Sequence, residues 1–202
     1  MPSETDKPQQ TAPSKCTACH GPMDSPLFSD QCRRLYPADG FNHFELLGFP
    51  PAYDLDIAML RQKYLQLSRG VHPDRHSESG SSLSVRLSAQ LNEAYRVLID
   101  PALRAEYLLE LMGGQSAAED RGVPPDVLTT TLALREETQE AKASGDAAAL
   151  AACGARAREV YDRTLATVAD LARQLPGGDD VRRRLRSTLN SIKYYHRLIT
   201  EP

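Results

Sequence analysis

From Phe41 onward, apolar positions recur every three or four residues, and the period breaks only at clusters of Gly, Pro, Ser and Asp. That rhythm predicts helices and little else. FNHFELLG reads as a short helix stopped at Gly48, with Pro50-Pro51 beyond it. In the next segment Ile57, Leu60, Tyr64, Leu67 and Val71 share one face, and Asp54 or Asp56 can cap the start. HPDRHSESGSS carries no period, and Pro73 pushes His72 out of helical space. A third helix follows with Leu83, Leu87, Leu91, Ala94, Tyr95 and Leu98. A fourth opens at Asp100-Pro101, with Leu103, Tyr107 and Leu111 four apart, and closes at Gly113-Gly114. Beyond GGQSAAEDRGVPP, three more helices are expected at 126–143, 146–174 and 180–199, separated by Gly145-Asp146 and by PGGDD.

The pattern predicts an all-α chain without strands. Residues 1–15 form a polar tail expected to be disordered, and 16–40 a segment containing cysteines and lacking periodicity. Residues 41–112 form the first helical unit, 113–125 a linker, and 126–202 an antiparallel three-helix bundle.

Composition narrows the function classes. The 202 residues are 41% hydrophobic and carry a formal net charge of −3, so no global positive field draws the chain to nucleic acid. No apolar run has the length of a membrane span. Four cysteines, three of them clustered, argue against a disulfide framework and for a reducing compartment. The first fifteen residues have no apolar core and no Arg, so a cytoplasmic location is expected rather than the mitochondrial matrix.

Local charge is more telling than the total. From Ile57 to Pro73 there are three basic residues and no acidic one, in a chain that is acidic overall. Arg61, Leu65 and Arg69 lie on the flank and far face of the helix, away from its apolar stripe. The face suits an acidic partner, and His72-Pro73-Asp74 stands at its end with Arg75 beside it. A catalytic pair is not indicated, because no nucleophile accompanies the imidazole and the carboxylate. A short helix, a basic amphipathic helix, His-Pro-Asp and a long antiparallel helix together resemble the J-domain over 41–112. The resemblance implies a loop, His72, Pro73 and Asp74, that docks on an ATPase chaperone of the DnaK/HscA class and stimulates its ATP hydrolysis. It implies supporting contacts from Arg61, Tyr64, Arg69 and Arg75. Leu65 stands where many members carry a basic residue, which leaves room for a specialised partner.

The bundle has more apolar surface than one core face needs. Val127, Thr131, Leu134, Thr138 and Ala141 suffice to seat the fifth helix. Leu128, Leu132, Glu136 and Glu140 form a second stripe, rotated by roughly 100–140°. In the last helix Val181, Leu185, Leu189, Ile192 and Ile199 make the core stripe with Tyr195 near its edge, and Tyr194 points nearly opposite. These surplus residues either bury against neighbouring elements or form a binding patch. LNEAYRVLIDPALRAEYLLELMG followed by LALREE resembles the HscB co-chaperones of iron–sulfur cluster assembly. That resemblance implies a bundle that holds an IscU-type scaffold protein through Leu128, Leu132, Glu136, Glu140 and Tyr194. Thr129 and Ala133 fall where relatives carry bulkier or charged residues. The alternatives are a J-domain co-chaperone for another client and a metal-binding regulator built on the cysteines.

Cys16-x2-Cys19 offers two thiolates on one turn, and Cys32 a third, as in a tetrahedral zinc site. Some HscB-like proteins carry two Cys-x2-Cys pairs. The resembling second pair here has Ser29 in place of its first cysteine, so one ligand is missing. His20 or Asp30 is the candidate substitute, and a remnant without metal is the alternative. Cys16 to His20 also spells the haem attachment spacing, but that chemistry requires an export signal. Cys153, mid-helix, is expected in the core. No cofactor is required, a structural zinc is the candidate, and no enzyme is expected.

Overall fold

The computed structural model describes residues 15–23, 25–76 and 81–200. The tail expected at 1–15 lies outside them, apart from Lys15. Seven α-helices are described: α1 (His43–Leu47), α2 (Ile57–Val71), α3 (Ser81–Ile99), α4 (Pro101–Leu111), α5 (Pro125–Ser144), α6 (Ala147–Arg173) and α7 (Asp179–Thr200). Short 3-10 turns fall at Pro73–Arg75 and Leu175–Gly177. Among the described residues extended pairing is limited to two isolated bridges, Lys15 to Pro22 and Phe28 to Leu35. No described helix is long and apolar enough to cross a membrane.

Packing divides the chain at Asp100–Pro101. The linker had been expected at 113–125, after α4, with α4 part of the first helical unit. Instead α4 packs on α6 and α7. It buries Arg104, Ala105, Leu108 and Leu109 rather than the expected stripe, and Leu111 is exposed. The reason is a polar network running through the segment taken for a linker. Arg186, 1% exposed, donates from Nη1 to Glu106 Oε1 (3.2 Å) and from Nε to Asn190 Oδ1 (3.1 Å). Asn190 Nδ2 in turn donates to the carbonyls of Asp120 and Gly122, both at 3.0 Å, and Lys193 Nζ donates to Glu106 at 3.0 Å. A guanidinium buried in this way is stable only with such partners. They bind α4 and the 113–125 segment to α7.

The rest of this second unit is an antiparallel bundle of α5, α6 and α7. Asp146 caps α6 by accepting from the N–H groups of Ala148 and Ala149 at 3.0 and 2.9 Å, directly after Gly145 closes α5 in the left-handed region at φ 69°. Val127, Leu134, Ala157, Tyr195 and Leu198 form a buried cluster, and Cys153 is 7% exposed, as expected of a core residue.

In the first unit, α2 and α3 form the helical hairpin and α1 packs on α3. Asn42 and Glu45 make a reciprocal capping box at α1, with bonds of 3.0 and 2.9 Å. Asp56 is the residue that caps α2, accepting from Met59 N–H at 3.0 Å. Leu60, Leu67 and Val71 are buried as expected, whereas Ile57, at the first turn of α2, is 41% exposed. The cysteine segment is seated on this unit. Leu27 and Phe28 are buried, and the Phe28 ring lies against Gly70 in the last turn of α2.

Candidate functional site

The His-Pro-Asp corner is held by bonds that reach across it. Pro73 opens the 3-10 turn with its φ already set, and Arg75 N–H donates to His72 O at 3.0 Å. His72 Nδ1 accepts from Asp74 N–H at 3.3 Å and lies 3.6 Å from Asp74 Oδ2. Two residues that the sequence reading passed over anchor the corner. His76 Nε2 bonds Gly70 O at 2.8 Å, and buried Ser84 donates to Val71 O at 2.5 Å, so the last carbonyls of α2 have partners. His76 could have been found from the preference for His near helix C-termini. Ser84 comes from another helix and leaves no local signal.

The corner's own side chains, though they meet each other, stay largely exposed. His72 and Asp74 are 57% and 87% exposed. With Leu65, Ser68, Arg69 and Arg75 they line an open hollow of about 350 Å³. Among the described residues Arg61, Arg69 and Arg75 are exposed and make no ion pair. Among the described residues, then, no salt bridge neutralises these three arginines. Tyr64, on the apolar stripe of α2 and named as a supporting contact, is half-buried. Its hydroxyl donates to Asn92 Oδ1 at 2.9 Å and its ring stacks on Tyr95 at 4.1 Å, so it ties α2 to α3.

On the bundle, Leu128 and Leu132 are 40% and 59% exposed, one turn apart on α5, with exposed Glu136 and Glu140 continuing the line. Tyr194 stands apart from this exposed set. It is half-buried and packs on the cluster of Val127, Leu134, Ala157, Tyr195 and Leu198. The surplus leucines are thus a genuine surface feature of α5, and Tyr194 is partly a core residue.

The cysteines come together. The Sγ atoms of Cys16, Cys19 and Cys32 lie within 4.8 Å of one another, Cys16 to Cys32 at 3.4 Å. Zinc–thiolate bonds of about 2.3 Å in a tetrahedron set sulfurs about 3.8 Å apart, so the three fit one ion. Backbone N–H groups of Ala18 and Cys19 point at Cys16 Sγ (3.3 and 3.5 Å) and the Tyr36 hydroxyl donates to it at 3.1 Å. The Tyr36 hydroxyl, then these backbone groups, hold the Cys16 thiol down at about 5, so it is present as the thiolate a metal needs. His20 and Asp30, expected as the fourth ligand, are exposed and stand outside the cluster. His20 sits at the end of its turn with φ 57°, and Asp30 at the tip of the second.

A DnaJ domain family model matches residues 42–107. The co-chaperone protein HscB homolog of Vibrio vulnificus (strain CMCP6) is 41% identical over 136 residues, spanning 63% of this chain and 77% of that protein. The chain belongs to the HscB family of J-domain co-chaperones. The HscB homolog of Shewanella oneidensis is 36% identical over 147 residues, 69% of this chain and 81% of its own. The chaperone HscB of Vibrio cholerae superposes with a TM-score of 0.68 at 31% identity, covering 80% of this chain and 94% of its own. Human co-chaperone protein HscB gives 0.76 at 25%, covering 93% and 95%. HscB membership makes this chain a non-catalytic co-chaperone of iron–sulfur cluster assembly.

Proposed function

We propose that this HscB-type chain recruits an IscU-type scaffold protein through the exposed α5 line and presents it to a DnaK/HscA-class ATPase chaperone through the His72-Pro73-Asp74 corner. The observation that carries the reading is the pairing of two unsatisfied surfaces on one chain. One is a basic helix face with an exposed, anchored His-Pro-Asp corner. The other is a pair of exposed leucines continued by two acids. Arg61, Arg69 and Arg75 supply long-range attraction and orientation toward an acidic chaperone surface, and His72 and Asp74 supply the contact that triggers hydrolysis. Leu128 and Leu132 fill apolar sites on the scaffold, with Glu136 and Glu140 at the rim and Tyr194 contributing from its half-buried edge. Tethering both partners on one chain raises the local concentration of scaffold at the chaperone. We place this work in the cytoplasm, where thiols such as Cys16 and Cys19 stay reduced.

Two variants separate the surfaces. His72→Gln is expected to bind scaffold as wild type does and to lose stimulation of the chaperone's ATPase. Leu128→Ala with Leu132→Ala is expected to stimulate the bare ATPase normally and to lose scaffold capture by a few kcal/mol, of the order that truncated contact residues cost. Full stimulation by His72→Gln, or full scaffold binding by the leucine pair, overturns the assignment of that surface.

A further inference from the structure

The two turns of the cysteine segment are built alike. In the first, Cys16 N–H donates to Gly21 O and His20 N–H to Cys16 O, both at 2.9 Å, and His20 takes φ 57°. In the second, Ser29 N–H donates to Arg34 O at 3.0 Å, Arg33 N–H donates to Ser29 O at 2.8 Å, and Arg33 takes φ 58°. A bridge closes each turn, Lys15 to Pro22 and Phe28 to Leu35. Position for position, Cys32 corresponds to Cys19 and Ser29 to Cys16. Two such turns face to face present four corners, here three thiols and one hydroxyl. Ser29 Oγ does stand at the fourth corner. It lies 3.5 Å from Cys19 Sγ and 3.5 Å from Cys32 N, and the residue is fully buried.

We propose that Cys16, Cys19 and Cys32 bind one zinc ion whose fourth coordination position, at Ser29, is left to an exchangeable ligand from solution. Zinc in proteins takes thiolate, imidazole or carboxylate, and a neutral serine hydroxyl is none of these. His20 and Asp30, the nearby imidazole and carboxylate, are outside the cluster. Three protein ligands with a fourth place open to water is the arrangement that lets zinc accept an incoming donor, whereas a four-thiolate site is closed. Three thiolates and Zn²⁺ sum to a single negative charge, so the complex accepts a water at rest and one further thiolate in its place. Entry is past Cys32, which is exposed, while Cys16 and Ser29 are buried. The segment is therefore a metal site of exchangeable coordination rather than a sealed structural knuckle.

The test uses the full-length protein, freed of metal by a chelator and titrated without oxygen with Co²⁺ and then Zn²⁺. The expected result is one metal per chain with thiolate-to-cobalt absorption. Added 2-mercaptoethanol should then shift the visible bands of the cobalt protein. Ser29→Cys should give a four-thiolate spectrum that the thiol does not shift, and should release zinc to a chromogenic chelator at least about tenfold more slowly. Ser29→Ala should bind cobalt as wild type does, because the hydroxyl is not a ligand. Circular dichroism establishes that each variant is folded, and should Ser29→Cys fail that check, the thiol response of wild type and the Ser29→Ala spectrum decide the matter. Absence of metal binding by wild type overturns the proposal. So does a wild-type spectrum that the thiol leaves unchanged, loss of binding in Ser29→Ala, or a spectral change in His20→Ala or Asp30→Ala.

Discussion

Gly70→Ala is expected to destabilise this protein, against the usual sign. Alanine in place of a helical glycine ordinarily stabilises by roughly 0.5–1 kcal/mol through the unfolded chain's entropy. Gly70 lies in the last turn of α2, where no left-handed conformation demands glycine. An added Cβ there would land on the Phe28 ring, with even the third-nearest ring carbon only 2.8 Å away. The ring is 7% exposed and has little room to retreat. Overpacking costs roughly 1–3 kcal/mol. If the ring is instead expelled, its burial is forfeited, roughly 1.5–3 kcal/mol. Either term exceeds the helical gain, for a net loss of about 1–2 kcal/mol. Urea unfolding of wild type, Gly70→Ala, Phe28→Ala and the double variant measures the coupling. In the Phe28→Ala background, Gly70→Ala should become neutral or stabilising. A Gly70→Ala protein more stable than wild type, or additive effects in the cycle, would refute the seating of the cysteine segment on the end of α2.

Other expectations follow from single features. Glu106→Ala strips the buried Arg186 guanidinium of its carboxylate and should cost roughly 3–5 kcal/mol in urea unfolding, much of it recovered when Arg186→Met is added. Burial, with the nearby Arg96 charge opposing Glu93, holds the His43 imidazole below its ordinary value of 6.5. The unfolded chain then takes up the proton first, so stability is full above about pH 6.5 and declines as pH falls from there toward the folded value. His43→Gln should flatten that part of the urea-midpoint profile between pH 7 and 5. Arg61→Glu with Arg69→Glu should weaken chaperone docking and remove its loss with added salt, and an unchanged salt slope would show that this face does not contact the chaperone.

Helix periodicity carried most of the fold. The expected ranges 126–143, 146–174 and 180–199 differ by one residue at each end from α5, α6 and α7, because Gly145-Asp146 and PGGDD punctuate strongly. The buried face of α4 departs from its local period, since what it buries is set by α6, α7 and the charge of Arg186, and none of these shows in that period. For the same reason the 113–125 segment passed for a linker. Its Asp120 and Gly122 carbonyls are claimed by Asn190, some seventy residues away. The His-Pro-Asp corner was legible as three letters at a helix end, but Ser84, which anchors it from α3, was not. The cysteines were legible by spacing. The fourth corner was not, because backbone turn geometry, rather than donor chemistry, brings Ser29 there.

The most direct test of the central claim is single-turnover ATP hydrolysis by the partner DnaK/HscA-class chaperone, with IscU-type scaffold titrated in the presence and absence of this protein. Joint presentation through two surfaces predicts a rate with both proteins well above the sum of each alone. It also predicts that His72→Gln abolishes the whole gain, and that Leu128→Ala with Leu132→Ala shifts the scaffold concentration needed for half of it upward. Rates that merely add, or a His72→Gln protein that retains the synergy, would contradict the account.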